Sequence, residues 1–237
     1  MLSIGIDGGG STLRIGIFGE RQECIYLNEL SETVNPCVLG FEKSEKLIQS
    51  TLLKTVEKAK INPSKISYIG AGLAGAAQSL DWLRSILRKL IPHAHISVAP
   101  DYEIALIGAH GKRFGVLLLS GTGSVAYGVN KAGESFHSGG WGYLMDDGGS
   151  GYWLGKELLK SVTRVFDGLN EKTPLFFKIF DHLKISSSDD FINWIYNPDR
   201  KNIEISNLAP LVLSSAKNGD LEAIRIVEDG AEKLYQL

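Results

Sequence analysis

Two short glycine-rich segments carry the residues best suited to hold an anion. Residues 8–10 are three glycines that follow the apolar stretch 2–6, and residues 121–123 read Gly-Thr-Gly after the apolar stretch 116–119. Glycine accepts positive φ and lets an anion approach backbone N–H groups, and the hydroxyl residues that follow each segment add donors. One such segment alone would be interpreted as an ordinary hairpin turn, but two equivalent ones favour phosphate binding.

Neither segment has the spacing of a familiar nucleotide-binding loop. A P-loop needs a Gly-Lys-Ser/Thr ending and a Rossmann loop opens a helix, whereas the residues after Gly10 alternate in polarity like a strand. Residues 6–11 and 119–124 instead repeat one pattern, in which an apolar strand leads through a small polar or acidic residue into a glycine turn and a hydroxyl residue. This repetition predicts an internal duplication, with two similar lobes facing a cleft.

Two aspartates come at the ends of predicted strands. Asp7 would be repelled by a phosphate at the neighbouring glycines unless a divalent cation lay between them, and Mg²⁺ commonly uses one or two carboxylates with phosphate oxygens. An Asx turn is the competing role for Asp7. Asp101 follows a strand and opens a helix, where it could take the proton of a hydroxyl nucleophile, although its spacing alone favours an N-cap.

Residues 139–151 form a segment that is too rich in glycine for a core element and too long for a turn. Trp141 would offer a stacking face there, and Asp147 would offer a bidentate acceptor for sugar hydroxyls. The five histidines show no metal-ligand spacing, and the chain lacks the nucleophile elbow of a Ser/His/Asp triad. The segment is therefore interpreted as a sugar-binding loop.

The elements that would position these residues begin with a three-stranded meander. Periodicity predicts strands at 3–7, 12–18 and 23–27, a helix at 41–60, a strand at 66–71, a helix at 80–90 and a strand at 95–99. Leu13, Ile15 and Ile17 should share one face of the second strand. This order of strands and helices is typical of an α/β lobe.

The pattern restarts after a polar hinge at residues 110–113. Strands are predicted at 115–119, at 125–129 and near Ser135, and a helix at 152–166. Ser206 or Asn207 should cap a helix that runs to Lys217, and Asp220 should cap the helix at 221–237. We therefore expect an N-terminal lobe at residues 1–113 and a second lobe with helical additions at residues 114–237.

Composition excludes several classes of protein. The chain has 237 residues, with 25 Lys and Arg against 27 Asp and Glu, so near-balanced charge argues against a nucleic-acid binder. A charged fraction of 22% with ample aromatic residues argues against disorder. No apolar run approaches the roughly 20 residues of a membrane span, and no signal peptide is recognisable. Cys24 and Cys37 form neither a CxxC pair nor a disulfide framework. We expect a cytoplasmic protein whose partners include neither nucleic acid nor membrane.

The motifs, taken as a set and in order, resemble those of the N-acetylglucosamine kinase and BadF/BadG/BcrA/BcrD-type ATPase group of the actin-like ATPase and sugar kinase superfamily. The matching stretches are GIDGGGST (5–12), SETVNPC (31–37), AGLAGA (71–76), VAPD (98–101), LSGTGS (119–124), SGGWGYLMDDGGSGYWLG (138–155) and APLVLSSAKNGDLEA (209–223). The resemblance implies an α/β fold of two actin-like (ribonuclease H-like) lobes with a central cleft.

The same resemblance implies roles for individual residues. Asp101 would be the catalytic base, and Asp7 would lie near Mg²⁺. The phosphates of ATP would be held by Gly9, Gly10, Ser11, Thr12, Gly121, Thr122, Gly123 and Ser124. The sugar would be contacted by Asn35, Gly140, Trp141, Gly142 and Asp147.

The predicted function is an ATP- and Mg²⁺-dependent kinase that phosphorylates the primary hydroxyl of an amino sugar, N-acetylglucosamine or glucosamine, with a homodimer as one assembly to consider. Two alternatives stay open: an ATPase activator of a 2-hydroxyacyl-CoA dehydratase, which would need bridging cysteines, and a catalytically silent sugar-binding or regulatory protein. Gly148 departs from the acidic residue of the mammalian kinase pattern. The strand and glycine-rich turn that hold adenosine in the family are expected after Leu237, so the second lobe is expected to be incomplete at its C-terminus.

Overall fold

A computed structural model of the protein describes residues 1–77 and 79–237. Over these residues the chain forms eight strands and ten α-helices, which makes it a mixed α/β protein. It divides into two compact units: residues 1–117 with 127–135 are unit 1, and residues 118–126 with 136–237 are unit 2. The lobe boundary expected between residues 113 and 114 stays a prediction.

Unit 1 is built on a mixed sheet. Its strands are β1 (Leu2–Gly8), β2 (Leu13–Phe18), β3 (Cys24–Leu30), β4 (Ile66–Leu73) and β5 (His95–Pro100). They lie in the order β3-β2-β1-β4-β5, with β1, β2 and β3 antiparallel in turn and β1, β4 and β5 parallel. The structure thus confirms the predicted meander and the two later strands, whose ends differ from the prediction by a few residues.

One face of this sheet is buried under helices because apolar residues alternate along the strands. Leu13, Ile15 and Ile17 of β2 are fully buried, as their spacing predicts. Their cluster also holds residues of the helices α2 (Phe41–Lys58) and α3 (Leu80–Leu90). Each buried Ile or Leu contributes about 1.5–3 kcal/mol of hydrophobic stabilisation, so this shared cluster fixes the helices on the sheet.

Three shorter helical segments follow or precede the strands of this sheet. The one-turn helix α1 (Pro36–Leu39) begins after Asn35, and a 3₁₀ turn at Pro63–Lys65 precedes β4. Helix α4 (Asp101–His110) begins directly after β5 and ends at Gly111, whose left-handed conformation caps it. Asp101 is therefore carried to the carboxyl end of the parallel strands.

A second sheet and six helices follow. The sheet has the order β6-β7-β8, from β6 (Gly115–Ser120), β7 (Ser124–Val129) and β8 (Ser135–Gly139). The helices are α5 (Gly151–Phe166), α6 (Pro174–Leu183), α7 (Ser188–Ile195), α8 (Asn202–Ser206), α9 (Ala209–Lys217) and α10 (Leu221–Tyr235). The core of unit 2 is largely helical and includes Leu158, Val162, Ile179, Phe191, Val212 and Ile226. None of the helices in the described ranges is both long and apolar enough to cross a bilayer.

Glycines let the helices of unit 2 approach closely. A Cβ at Gly155 of α5 would overlap the carbonyl of Ile205 in α8, and a Cβ at Gly149 would overlap the carbonyl of Gly230 in α10. Gly148 packs against the side chain of Lys233, and a Cβ at Gly148 would lie 2.8 Å from the Lys233 Cβ. The departure noted at Gly148 thus has a local reason, since an acidic side chain would meet α10.

Two sequence-based details are wrong. Neither Ser206 nor Asn207 caps α9, because both residues end the preceding helix α8 and Leu208 occupies the N-cap position. The segment 139–151 is not one loop, since Gly139 belongs to β8 and α5 already begins at Gly151. By contrast, Asp220 caps α10 by accepting a hydrogen bond from the Ala223 N–H, as predicted.

Candidate active site

The carboxyl ends of three parallel strands bring the candidate residues of unit 1 to one edge of its sheet. The register aligns Gly8 of β1 with Leu73 of β4, and Leu73 with Pro100 of β5. The residues that follow these positions are the first glycine turn (residues 8–12), the segment 74–75 and Asp101. Because parallel strands end at the same edge, this register explains why motifs far apart in the chain meet there.

Asp7 lies within β1 and faces Arg14 of β2, its partner in the antiparallel register. The carboxylate is 3.6 Å from the Arg14 guanidinium, which also binds Glu29 of β3 at 2.9 Å. The Asp7 side chain is 47% exposed. Asp7 thus presents an accessible carboxylate at the strand end, and its partner within the described residues is a cation rather than an Asx-turn amide.

Asp101 is the first residue of α4, and Pro100 occupies the N-cap position, so the N-cap alternative for Asp101 is wrong. Burial raises the pKa of the Asp101 carboxyl; a hydrogen bond from the Tyr102 backbone opposes this, and the charge of Asp7 adds to it. The ring of Tyr102 packs 4.7 Å from that of Tyr127, centroid to centroid. A carboxylate with a raised pKa is a stronger proton acceptor than an ordinary one.

Neighbouring segments hold the first glycine turn by its carbonyl oxygens. The Ala74 N–H donates to the Gly8 carbonyl at 2.7 Å, and the Thr33 hydroxyl donates to the Gly9 carbonyl at 3.4 Å. The Thr33 hydroxyl in turn accepts the N–H of Asn35 at 3.1 Å. This chain of hydrogen bonds places Asn35 beside the turn.

The amide of Asn35 is fixed from two sides. Its Oδ1 accepts the Cys37 N–H at 2.8 Å, which caps α1. Gly75 has a φ of +70°, and a Cβ there would overlap the Asn35 amide. The Asn35 oxygen is therefore used within the chain, which leaves the Nδ2 group as its donor toward a ligand.

In unit 2, the second glycine turn (residues 121–124) is wrapped by the segment that leads into α5. The Gly151 N–H donates to the Gly121 carbonyl at 2.7 Å, and the Tyr152 N–H donates to the Thr122 carbonyl at 3.2 Å. The Ser124 hydroxyl donates to the Gly148 carbonyl at 2.9 Å. Ser124 is only 4% exposed, so its hydroxyl supports the turn rather than facing solvent.

Asp147 is buried beneath the second glycine turn. Its Oδ1 accepts the Ser124 N–H at 3.2 Å, and the residue is 6% exposed. Its φ of 67° lies in the left-handed region, which aspartate tolerates better than most residues. Burial raises the pKa of the Asp147 carboxyl, and a backbone hydrogen bond from Ser124 is the main opposing influence.

The loop between β8 and Asp147 is open to solvent. Trp141 is 73% exposed, and its ring lies 6.3 Å from that of His137. Gly140 and Gly142 both have positive φ, 75° and 91°, which lets the chain turn tightly on either side of the indole. A large exposed aromatic face of this kind suits stacking against a sugar ring.

Three residues that support the site, Arg14, Thr33 and Gly75, are not among the predicted site residues. Arg14 could have been found from the hairpin, because a tight turn after Gly8 places it opposite Asp7. Thr33 and Gly75 lie inside the matching motifs, but their contacts with Gly9 and Asn35 depend on how distant segments pack. The structure brings Asp7, the first glycine turn, Asn35 and Asp101 to one edge of unit 1, and gathers Gly140–Gly142, Asp147 and the second glycine turn in unit 2.

Within residues 1–77 and 79–237, no cluster of three or more His, Cys, Asp or Glu side chains could hold a metal ion on its own. A Mg²⁺ ion bound with a nucleotide does not need such a cluster, since one or two carboxylates and the phosphates suffice. The accessible carboxylate of Asp7 at the strand end fits that requirement.

Named sugar kinases are similar to this chain over nearly its whole length. A kinase for N-acetylmuramic acid and N-acetylglucosamine from Clostridium acetobutylicum is 36% identical over 234 residues, which cover 98% of this chain and 76% of that protein. An N-acetyl-D-glucosamine kinase from Dictyostelium discoideum is 31% identical over 254 residues, covering 99% of this chain and 77% of that protein.

A solved structure and a family model also match nearly the whole chain. The crystal structure of a Chromobacterium violaceum protein superposes with a TM-score of 0.83 at 29% identity, covering 99% of this chain and 81% of that one. The model of the BadF/BadG/BcrA/BcrD ATPase family matches residues 4–237. With its fold, its paired glycine turns and this match, the chain belongs to the BadF/BadG/BcrA/BcrD ATPase family.

Proposed function

We propose that this protein is an ATP-dependent kinase that transfers the γ-phosphoryl group of ATP to the primary hydroxyl of an amino sugar. The observation that carries the proposal is the partly buried carboxylate of Asp101 at the sheet edge that also carries the first glycine turn and Asn35. Relatives named as kinases of N-acetylglucosamine, N-acetylmuramic acid and glucosamine support the same substrate class.

In this proposal Asp101 is the general base. Its raised pKa makes the carboxylate a better acceptor for the proton that the sugar hydroxyl loses as its oxygen attacks phosphorus. Phosphoryl transfer needs little covalent chemistry from the protein beyond positioning and charge stabilisation. A single well-placed carboxylate and two phosphate-binding turns meet that need.

In this proposal the two glycine turns hold the phosphates of the nucleotide. The phosphate contacts are made by Gly9, Gly10, Ser11, Thr12, Gly121, Thr122 and Gly123. Ser124 contributes by supporting the second turn through its contacts with Asp147 and Gly148. Asp7 would hold the Mg²⁺ that accompanies ATP, and that ion neutralises charge on the phosphates. Arg14 pairs with Asp7 at 3.6 Å and orients the carboxylate at the strand end.

The sugar contacts in this proposal are the residues that the family resemblance implies. The Nδ2 group of Asn35 donates to a sugar oxygen, because its Oδ1 is engaged by Cys37. Trp141 stacks on the apolar face of the ring, and the backbone of Gly140 and Gly142 together with Asp147 addresses the hydroxyls. The substrate we favour is N-acetylglucosamine or glucosamine, and we expect the protein to act in the cytoplasm, with a homodimer as an assembly to test.

The test is sugar-dependent release of ADP. The purified chain is given Mg-ATP with N-acetylglucosamine, glucosamine, N-acetylmuramic acid, N-acetylmannosamine or glucose, and ADP is followed by a coupled assay. We expect turnover with an amino sugar and none with its 6-deoxy analogue, which lacks the primary hydroxyl. Sugar binding without ADP release above background would favour a silent sugar-binding protein instead.

A further inference from the structure

The carboxylate of Asp147 joins two segments to which the proposed function assigns different ligands. Its Oδ1 accepts the N–H of Ser124 in the second glycine turn at 3.2 Å. The backbone of Gly142, in the loop proposed to contact the sugar, faces the same carboxylate and acts to lower its pKa as a hydrogen-bond donor. Because Asp147 is 6% exposed, water competes little for either contact.

The turn lies directly on this carboxylate. A Cβ at Gly123 would sit 2.9 Å from the Asp147 Oδ2 and 3.1 Å from its Oδ1, so glycine at that position permits the contact. The neighbouring Asp146 is exposed and takes no part in it. Of the two adjacent aspartates, Asp146 is therefore solvent-exposed, whereas Asp147 is buried against the second glycine turn.

A carboxylate suits this position better than an amide. An ionised carboxylate only accepts hydrogen bonds and can serve both backbone donors, whereas an asparagine amide would point an NH₂ group at one of them. Hydrogen bonds to a charged acceptor are also about twice as strong as neutral ones. Asparagine at 147 would therefore keep the shape of the side chain and lose part of its hold on the two segments.

We propose that Asp147 is a positioning residue that holds the second glycine turn in its nucleotide-binding conformation through the Ser124 N–H and links that turn to the sugar-binding loop through Gly142. This inference rests on the proposed function and deepens it. A turn ordered before the ligand arrives avoids the conformational cost of ordering it on binding. Asp147 then contributes to nucleotide affinity even when no sugar is present.

The experiment compares Asp147→Asn and Asp147→Ala with the matched control Asp146→Asn. Binding of Mg-ADP is measured by calorimetry without sugar, and amide hydrogen exchange is followed for the peptides containing Ser124, Gly142 and, as an internal reference, residues 8–12. We expect Asp147→Asn to weaken Mg-ADP binding roughly tenfold and to speed exchange at Ser124, since a charge-assisted hydrogen bond is lost. Asp146→Asn should match the wild type in both measurements.

Wild-type Mg-ADP affinity in Asp147→Asn, with an effect on the sugar KM alone, would overturn the inference and leave Asp147 as a sugar contact. Unchanged exchange at Ser124 would overturn it as well. Failure of the wild-type chain to bind Mg-ADP would instead contradict the proposed function, and the exchange comparison would still decide whether Asp147 holds the turn. If Asp147→Ala fails to fold, the isosteric Asp147→Asn variant still allows both the Mg-ADP binding and the exchange measurements.

Discussion

The two glycine turns share a sequence pattern, but the chain supports them differently. In the first turn, the Ala74 N–H and the Thr33 hydroxyl donate to the carbonyls of Gly8 and Gly9. In the second turn the carbonyls also accept, but Ser124 in addition gives its N–H to Asp147 and its hydroxyl to a backbone carbonyl. Both turns accept hydrogen bonds from neighbouring segments, and the second turn also donates two to its neighbours through Ser124.

This difference means that matching motif positions need not have matching roles. Gly10 is exposed and Thr12 is half-buried, whereas Ser124 is almost completely buried. A donor already engaged inside the protein gains nothing by leaving its partner for a ligand, since the partner would then be unsatisfied. We infer that the Thr12 hydroxyl of the first turn meets the phosphates and that the second turn does so mainly through its glycine backbone.

The largest effect on turnover is expected from replacing the proposed general base, Asp101 of unit 1, which leaves both glycine turns unchanged. Asp101→Asn should lower kcat by roughly 10²–10⁴-fold, the usual size of a general-base loss, with Mg-ADP affinity unchanged. Glu103→Gln, in the same first turn of α4, is the control and should keep its turnover. Initial rates and calorimetry provide the measurements, and wild-type turnover in Asp101→Asn would remove Asp101 from the mechanism.

The Asp101→Asn variant should also have a higher free energy of unfolding than the wild type at pH 7. Burial raises the folded-state pKa of Asp101, so the folded state binds the proton more tightly than the unfolded state. Stability then falls as the pH rises through the window between the unfolded pKa of about 3.9 and the raised folded value. We expect a higher Tm for Asp101→Asn at pH 7 and a vanishing difference near pH 3, both followed by calorimetry; a lower Tm at pH 7 would contradict this account.

A glycine beside the second turn provides the next largest effect. Gly149 has a φ of +73° and lies against the Gly230 carbonyl and Leu234, so Gly149→Ala should lose about 2–4 kcal/mol of unfolding free energy. Gly121 has open space at its Cβ position, and Gly121→Ala should stay within about 0.5 kcal/mol. Urea unfolding distinguishes the two; equal losses would mean that α10 does not set the position of this segment.

Substituting one hydroxyl in each turn tests the comparison directly. Ser124→Ala should cost about 1–2 kcal/mol of stability because the buried Gly148 carbonyl loses its donor. Thr12→Val should cost under about 0.5 kcal/mol but raise the KM for ATP several-fold, since a half-buried hydroxyl is lost to the ligand. Urea unfolding and ATP titrations measure both. Similar behaviour of the two variants would show that the turns are supported alike.

The smallest effect is expected at Arg14. Its ion pairs with Asp7 and Glu29 are about half exposed, so Arg14→Gln should change the unfolding free energy by less than about 1 kcal/mol at moderate salt. Unfolding at low and high salt concentrations measures this change. A loss well above that size would mean that the pairing of β1 with β2 depends on this cation.

Sequence reasoning succeeded where the cause was local. The alternation of Leu13, Ile15 and Ile17 predicted a buried strand face, and α9 ends at Lys217 as predicted. It failed at the N-cap of α9, because the choice between Ser206 and Leu208 depends on α8, which packs against α5 near Gly155. The roles of the candidate site residues stay predictions that the variants above address.

The sequence by itself determined the α/β order of the elements and the positions of the two glycine turns, because these follow from periodicity and from residue types at short spacing. Its ordered motifs also resemble those of the family to which the chain belongs. Only the tertiary structure decided that Ser124 and Asp147 are buried partners and that Thr33 links Gly9 to Asn35. These contacts join segments that lie on different strands and loops. Their geometry is set by strand register and packing, which no short stretch of sequence contains.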